Sequence, residues 1–93
     1  MMYQVVLQSE AISDMQDAYD WYEEQRTGLG NEFVEEVEIS LEKISEHPEY
    51  YSYVNDIYRR IKTNRFPYLI IYEIENNTVF VNSIMHGMRN SKY

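Results

Sequence analysis

The stretch RFPYLIIYEIENNTVFVNSIMHGMR, from Arg65 to Arg89, decides the fold of this chain. Within it, Tyr68 to Ile74 is apolar almost throughout, as a central strand covered on both sides requires. Asn76 and Asn77 tolerate the positive backbone angles of a two-residue turn, so Thr78 to Met85 is predicted to return antiparallel to the strand before it. The stretch therefore predicts a β-hairpin inside a sheet.

A further strand is predicted just before this hairpin. Because side chains alternate along a strand, Ile57 and Ile61 are expected on its buried face, and Tyr58, Arg60 and Lys62 on the opposite, wet face. Three more residues are expected near the rim of that wet face: Arg65, His86 and Arg89. The sheet is thus predicted to carry a cationic cluster on one side.

The first half of the chain predicts one strand and two helices. Tyr3–Leu7 is a short β-prone run, after which Ser9 can cap a helix. Apolar residues then recur at helical spacing in two stripes: Ala11, Met15, Ala18 and Tyr22, followed by Phe33, Val37, Leu41 and Ile44. The segment Gly28–Asn31 is expected to end the first helix at its first glycine and to cap the second at its asparagine, and His47–Pro48 ends the second helix. Ile39 lies off the stripe and is expected to be exposed.

Together these elements predict an α+β fold in the order β-α-α-β-β-β. A helical hairpin packs on one face of a small, mainly antiparallel sheet, and residues 1–93 form a single domain. A chain of 93 residues should bury about 60–70% of the surface that its unfolded form exposes, which allows one modest core.

Composition excludes several classes of protein. The chain has no cysteine and only two histidines, so neither a disulfide nor a metal site is expected, and no cofactor is expected either. The N-terminus has no basic start followed by a long apolar run, and no stretch approaches the ~20 apolar residues of a membrane span. We therefore expect a cytoplasmic protein that does not enter the membrane.

Charge divides the chain into two halves. Residues 1–49 hold thirteen acidic and two basic residues, whereas residues 50–93 hold three acidic and six basic residues. The acidic half is interpreted as the solvated faces of the helices, and the basic half coincides with the hairpin. Ten tyrosines in 93 residues suit a protein that covers its surface with a partner, because tyrosine buries area and still forms hydrogen bonds.

The hairpin stretch resembles the C-terminal part of the ParE/RelE superfamily, the toxins of bacterial type II toxin–antitoxin (plasmid stabilisation) modules. The first half agrees through three motifs: Trp21-Tyr22-Glu23-x-Gln25, Gly28-Leu29-Gly30 and Phe33-x-x-Glu36-Val37. The resemblance implies the superfamily fold, a bacterial cytoplasmic toxin and a cognate antitoxin as partner.

Three functions are compatible with this resemblance. The first is a ParE-like toxin that binds a target such as DNA gyrase, and the second is a RelE-type, ribosome-dependent and metal-independent mRNA endoribonuclease. The third is a non-toxic partner of the antitoxin that acts as a co-repressor.

Under the second function, the catalytic residues implied by the resemblance are Arg60, Lys62, His86, Arg89 and Tyr93. Leu69 and Gly87 stand where RNA-cleaving relatives carry arginines, and the loss of two such cations should cost several kcal/mol at the transition state. The sequence therefore favours the first function.

Overall fold

The structure is a computed structural model that describes residues 2–87. Its elements follow in this order: β1 (Gln4–Leu7), α1 (Ser9–Gln25), α2 (Leu29–Glu46), a 3₁₀ turn (Pro48–Tyr50), β2 (Arg59–Lys62), β3 (Tyr68–Glu75) and β4 (Thr78–His86). This order confirms the predicted fold. In the described part of the chain, no helix is long and apolar enough to cross a membrane.

The four strands form one mixed sheet in the order β1-β4-β3-β2. β1 runs parallel to β4, whereas the other neighbouring strands are antiparallel. β3 therefore lies inside the sheet, as predicted. The three consecutive residues Ile70–Tyr72 are all buried, so both faces of β3 are shielded at its centre. In the hairpin turn between β3 and β4, Asn76 has the expected positive φ, at 57°.

Both helices pack on one face of this sheet, which we call the helix face; the opposite face is called the far face. The predicted apolar stripes supply the buried hydrophobic residues of the helices: Ala11, Ala18, Phe33, Val37 and Ile44. Ile39 is 50% exposed, as expected from its position off the stripe. His47 follows the end of α2 and precedes Pro48, which confirms the predicted end of this helix.

An aromatic cluster joins the helical hairpin to the sheet. The ring of Tyr22 in α1 lies 5.5 Å from that of Phe33 in α2 and 4.8 Å from that of Phe66, between ring centroids. Phe33 in turn lies 4.9 Å from Tyr68 at the start of β3. The first of these ring pairs is stacked and the other two are edge-on, and both arrangements add stability beyond the buried area. Residues from motifs in both halves of the sequence therefore meet in one packing unit.

The connection between the helices differs from the prediction at both helix ends. α1 ends at Gln25, before the glycine, and α2 already begins at Leu29. Gly28 is left-handed as predicted, with φ of 92°, but it occupies the N-cap position of α2, so Asn31 lies inside the helix and does not cap it. The cap comes instead from Glu23, whose carboxylate accepts the N–H groups of Gly28 and Gly30, each at 2.9 Å.

The prediction that Ser9 caps α1 was wrong, because Ser9 is the first residue of the helix and Gln8 holds the cap position. Gln8 donates its N–H to the carbonyl of Val81 in β4 at 2.9 Å, and its own carbonyl accepts the N–H of Ile12 at 3.0 Å. Gln8 thus forms the last backbone hydrogen bond to β4 with its N–H and the first hydrogen bond of the helix with its carbonyl. No separate residue is left between strand and helix to provide a side-chain cap.

Asp14 of α1 supports β4 beyond the end of β1. Its carboxylate accepts the N–H of Ile84 at 2.9 Å. Burial raises the pKa of Asp14, the hydrogen bond from Ile84 lowers it, and the nearby charge of Asp17 raises it further. The carboxylate satisfies a strand N–H that would otherwise require a neighbouring strand.

The prediction that Ile57 faces the core was also wrong. Ile57 is 61% exposed and lies in a turn before β2. The side-chain oxygen of Asn55 accepts the N–H groups of Ile57 and Tyr58, at 2.9 and 2.8 Å. An asparagine turn therefore stands at these two positions in place of the expected strand, which begins only at Arg59.

Candidate functional site

The far face of the sheet carries two exposed cations. Arg60 pairs with Ile71 across β2 and β3, and Lys62 pairs with Leu69. Residues directly opposite each other in an antiparallel pair project to the same face. Ile61, between the two cations, is buried. The predicted alternation of β2 is therefore confirmed for Arg60, Ile61 and Lys62.

A pocket of about 310 Å³ lies beside these cations. It is lined by Arg60, Lys62, Pro67, Tyr68, Leu69 and Gly87. The N–H of Gly87 donates to the carbonyl of Pro67 at 2.6 Å, which closes this end of the sheet. Two flexible cations over an apolar floor can hold an anionic group whose remainder is apolar.

Arg65 does not lie at the rim of the far face, where the sequence placed it. Its guanidinium forms an ion pair with Glu32 in α2, and its backbone N–H donates to the carboxylate of Glu36 at 3.0 Å. The hydrogen bond from Arg65 lowers the pKa of Glu32. Arg65 therefore fastens the loop before β3 to α2.

His86 is likewise separated from the far-face cations. It pairs with Tyr68 across β3 and β4, and the two ring centroids lie 5.3 Å apart. The ring of Tyr68 belongs to the aromatic cluster, with Phe33 at 4.9 Å, so His86 lies toward the helix face. The structure thus brings Arg60 and Lys62 together and places His86 on the other side of the sheet.

The remaining two site residues implied by the resemblance are Arg89 and Tyr93. Both lie outside residues 2–87, the part of the chain that the structure describes.

A second candidate binding surface is a groove between the two helices. It has a volume of about 240 Å³ and is lined by Ile12, Met15, Gln16, Tyr19 and Val34. Ile12 is 56% exposed. An apolar groove between two helices suits an amphipathic segment of a partner protein. We call it the helical groove.

Arg59 was not selected from the sequence, although it organises a large part of the surface. Its guanidinium donates to the carbonyls of Glu49 and Tyr51, at 3.0 and 2.7 Å, and to the hydroxyl of Tyr53 at 2.9 Å. It also lies 4.0 Å from the centroid of the Tyr53 ring. The only sequence signal was an arginine shortly after three clustered tyrosines, and no periodicity could identify its partners.

Metal chemistry has no ligand set in residues 2–87, where no group of three or more histidine, cysteine, aspartate or glutamate side chains could hold an ion. The cationic chemistry of the far face rests on Arg60 and Lys62, and Glu73 of β3 lies on the same face, where its carboxylate accepts a hydrogen bond from the side-chain amide of Asn82 at 3.3 Å. The two cations can bind an anion or pair with carboxylates of a partner protein.

Comparisons with known proteins agree with this geometry. The model of a protein family described as the ParE toxin of the type II toxin–antitoxin system, parDE, matches residues 5–91. A search of curated proteins finds no match. A solved structure described as the chromosomal ParDE TA system from P. aeruginosa is similar, with a TM-score of 0.81 and 12% sequence identity. The match covers 91% of this chain and 96% of that one. At this identity the structural likeness supports the fold alone.

Proposed function

Because the chain belongs to the family of ParE toxins of type II toxin–antitoxin systems, we propose that this toxin component acts by binding a macromolecular target, with DNA gyrase as the first candidate. The proposed site of action is the cytoplasm. The observation that carries the proposal is the separation of Arg60 and Lys62 from His86 by the sheet. Binding requires only a complementary surface, whereas RNA cleavage requires a base, an acid and cations around one phosphate.

Leu69 adds to this argument. It stands where RNA-cleaving relatives carry an arginine, and its register places it directly opposite Lys62 on the far face. An apolar side chain there offers contact area to a protein partner but cannot stabilise a phosphorane charge. The far face thus has the composition of a protein-binding surface with a basic edge.

Tightly induced expression without antitoxin tests the proposal. We expect growth arrest together with a change in the superhelical density of a reporter plasmid, measured on topology gels, because gyrase sets that density. Cells that also express the antitoxin serve as the control and should keep normal topology. The enzyme function becomes primary if messages are instead cut at ribosomal A-site codons, and if cutting disappears with Arg89→Ala or on deletion of Tyr93.

The endoribonuclease function is kept as the second candidate because Arg60 and Lys62 lie on the same face of β2, are exposed and line a pocket. In that function they stabilise phosphate charge, and Arg89 and Tyr93 supply the remaining groups in place of His86. It requires that the tail bring Arg89 and Tyr93 to the far face, because His86 lies toward the helix face.

The proposed antitoxin binds as a disordered segment that folds over the helical groove and the rim of the sheet. Mixing the purified pair should give a co-eluting complex and new secondary structure by circular dichroism. Absence of both would remove this proposal.

Two exposed isoleucines provide a matched pair of variants for the groove. Ile12 lines the groove and is 56% exposed, whereas Ile39 lies outside it and is 50% exposed. Ile12→Asp should weaken antitoxin binding about tenfold by burying a charge in the interface, and Ile39→Asp should leave binding unchanged. Equal effects of the two substitutions would place the antitoxin elsewhere.

A further inference from the structure

Exposed aromatic and aliphatic side chains concentrate in the segment between α2 and β2, residues 48–58, which we call the tyrosine loop. Tyr50 is 81% exposed, Tyr53 57% and Ile57 61%. Single exposed apolar residues are ordinary on any protein surface. Three of them within eight residues form a patch of the kind that marks an interaction site.

The tyrosine loop is held in place by hydrogen bonds within the loop and to β2. Val54 donates its N–H to the carbonyl of Tyr58 at 2.8 Å, and Arg60 donates its N–H to the carbonyl of Ser52 at 3.0 Å. The guanidinium of Arg59 ties the first arm of the loop through the three bonds described above. A loop with this many hydrogen bonds is a preformed surface rather than a loose connection.

Two tyrosines, Tyr72 in β3 and Tyr3 just before β1, anchor the base of the loop. The hydroxyl of Tyr72 donates to the carbonyl of Pro48 at 2.6 Å. The hydroxyl of Tyr3 donates to the carboxylate of Glu49 at 3.2 Å, and this hydrogen bond raises the pKa of Tyr3. A surface ordered in advance loses little conformational entropy when a partner binds.

The charge of the loop decides the chemistry of its partner. Its charged residues are both acids, Glu49 and Asp56. The nearby guanidinium of Arg59 is committed to acceptors within the loop, and Arg60 and Lys62 project from the far face. Carboxylates repel phosphates, so exposed tyrosine rings here are unsuited to stacking on nucleic acid, which requires a basic groove.

Tyrosine rings beside carboxylates suit a guanidinium group. Arginine stacks on aromatic faces and pairs with carboxylates through its planar fork of donors, whereas lysine offers only a point charge. One contact between a guanidinium and a loop tyrosine is already present, because Arg59 of β2 lies 4.0 Å from the Tyr53 ring centroid. Tyr50, the most exposed of the loop tyrosines, offers a second ring to a partner.

We propose that the tyrosine loop is a third docking surface, separate from the far face and the helical groove, which binds an arginine-bearing segment of a protein partner. This inference goes beyond the proposed function and does not depend on the identity of the toxin's target.

Titration of the isotope-labelled full chain with a hexa-arginine peptide tests the inference by NMR. We expect saturable shifts of the backbone amides of residues 50–58 and weaker binding of a hexa-lysine peptide, because lysine lacks the planar group. Tyr50→Ser should weaken arginine binding about threefold to fivefold, the range of one exposed cation–π contact. Tyr50→Phe keeps the ring and should retain affinity.

The acidic face of α2 provides the control for plain charge attraction. The double variant Glu35→Gln, Glu38→Gln removes two exposed acids outside the loop and should leave loop shifts and affinity unchanged. The inference is overturned if the shifts spread over the helices, if the lysine peptide binds equally well, or if Tyr50→Ser has no effect. A single-stranded RNA oligonucleotide that shifts the same amides would reassign the loop to nucleic acid.

Discussion

The two faces of the sheet differ in what their residues do. On the helix face, the signature residues hold the fold together: Tyr22 and Phe66 lie in the aromatic cluster, and Glu23 caps α2. On the far face, Arg60 and Lys62 are exposed and are free to serve a partner. The residues by which the family is recognised are therefore largely scaffold. This explains why family membership and fold follow readily from this sequence, whereas the target does not.

The largest expected effect lies at the closest approach of the helices. A Cβ added at Gly30 would lie 2.8 Å from the carbonyl oxygen of Tyr19 and 2.9 Å from the carboxylate of Glu23. Gly30→Ala should therefore destabilise the protein by about 2–3 kcal/mol, although alanine is the better helix former. Urea unfolding followed by circular dichroism measures this difference. Asn31→Ala, at the next and exposed position of α2, should change stability by less than ~0.5 kcal/mol. Equal stability of the two variants would mean that the helices are not packed this closely.

The second effect concerns the cap of α2. Glu23→Ala removes the acceptor for the N–H groups of Gly28 and Gly30, together with a negative charge at a helix N-terminus. We expect a loss of about 1–2 kcal/mol in the free energy of unfolding. Glu24→Ala, the adjacent substitution on the exposed side of α1, is the control and should be nearly neutral. A harmless Glu23→Ala would show that the geometry of this turn depends on glycine conformation alone.

The third expected effect is a change in how the free energy of unfolding depends on pH. Tyr72→Phe removes the hydrogen bond to Pro48 on the helix face and should cost about 1–2 kcal/mol at neutral pH, because a buried carbonyl loses its donor. Burial raises the pKa of Tyr72 far above its ordinary value. The neutral phenol is thus the form that the fold favours, so its contribution is fully present below about pH 10 and declines as pH rises further.

Stability measured from pH 8 to 11 should therefore fall less steeply for Tyr72→Phe than for the unmodified chain. Tyr50→Phe changes an exposed tyrosine and should leave the slope unchanged. If both variants show the slope of the unmodified chain, the phenol of Tyr72 is not protected as the structure indicates.

The sequence predicted those parts of the fold that are determined by burial. The helical stripes and the apolar run of β3 were read correctly because each repeats over several turns or residues. Ile57 was placed wrongly because Asn55 forms a turn where alternation suggested a strand. Ser9 failed as a cap because Gln8 remains bonded to β4. The first outcome depends on side-chain hydrogen bonds two and three residues along the chain, and the second on a backbone bond to a distant strand. A periodic pattern of apolar residues contains neither.

The site was predicted less completely for a related reason. Arg60 and Lys62 were placed correctly because two residues of one strand share a face. Arg65 and His86 were expected beside them, but which face each occupies depends on the loop before β3 and on the pairing of Tyr68 with His86. Arg65 is drawn to the carboxylates of Glu32 and Glu36 on α2, a contact between residues about thirty positions apart.

The smallest expected effect on stability is also the most informative about the far face. Arg60→Ala combined with Lys62→Ala should change the free energy of unfolding by no more than ~0.5 kcal/mol, since both side chains are exposed and an exposed substitution usually costs little. Urea unfolding should therefore give nearly the same midpoint and slope as the unmodified chain. Because a shift of register by one residue would turn both side chains into the core, failure of this variant to fold would mean that the faces of β2 have been assigned incorrectly.

If the double variant folds and loses toxicity while still binding the antitoxin, the far face is the surface that contacts the target. If it folds and remains fully toxic, the target is bound by another surface, and the division of the sheet into a scaffold face and a working face does not hold.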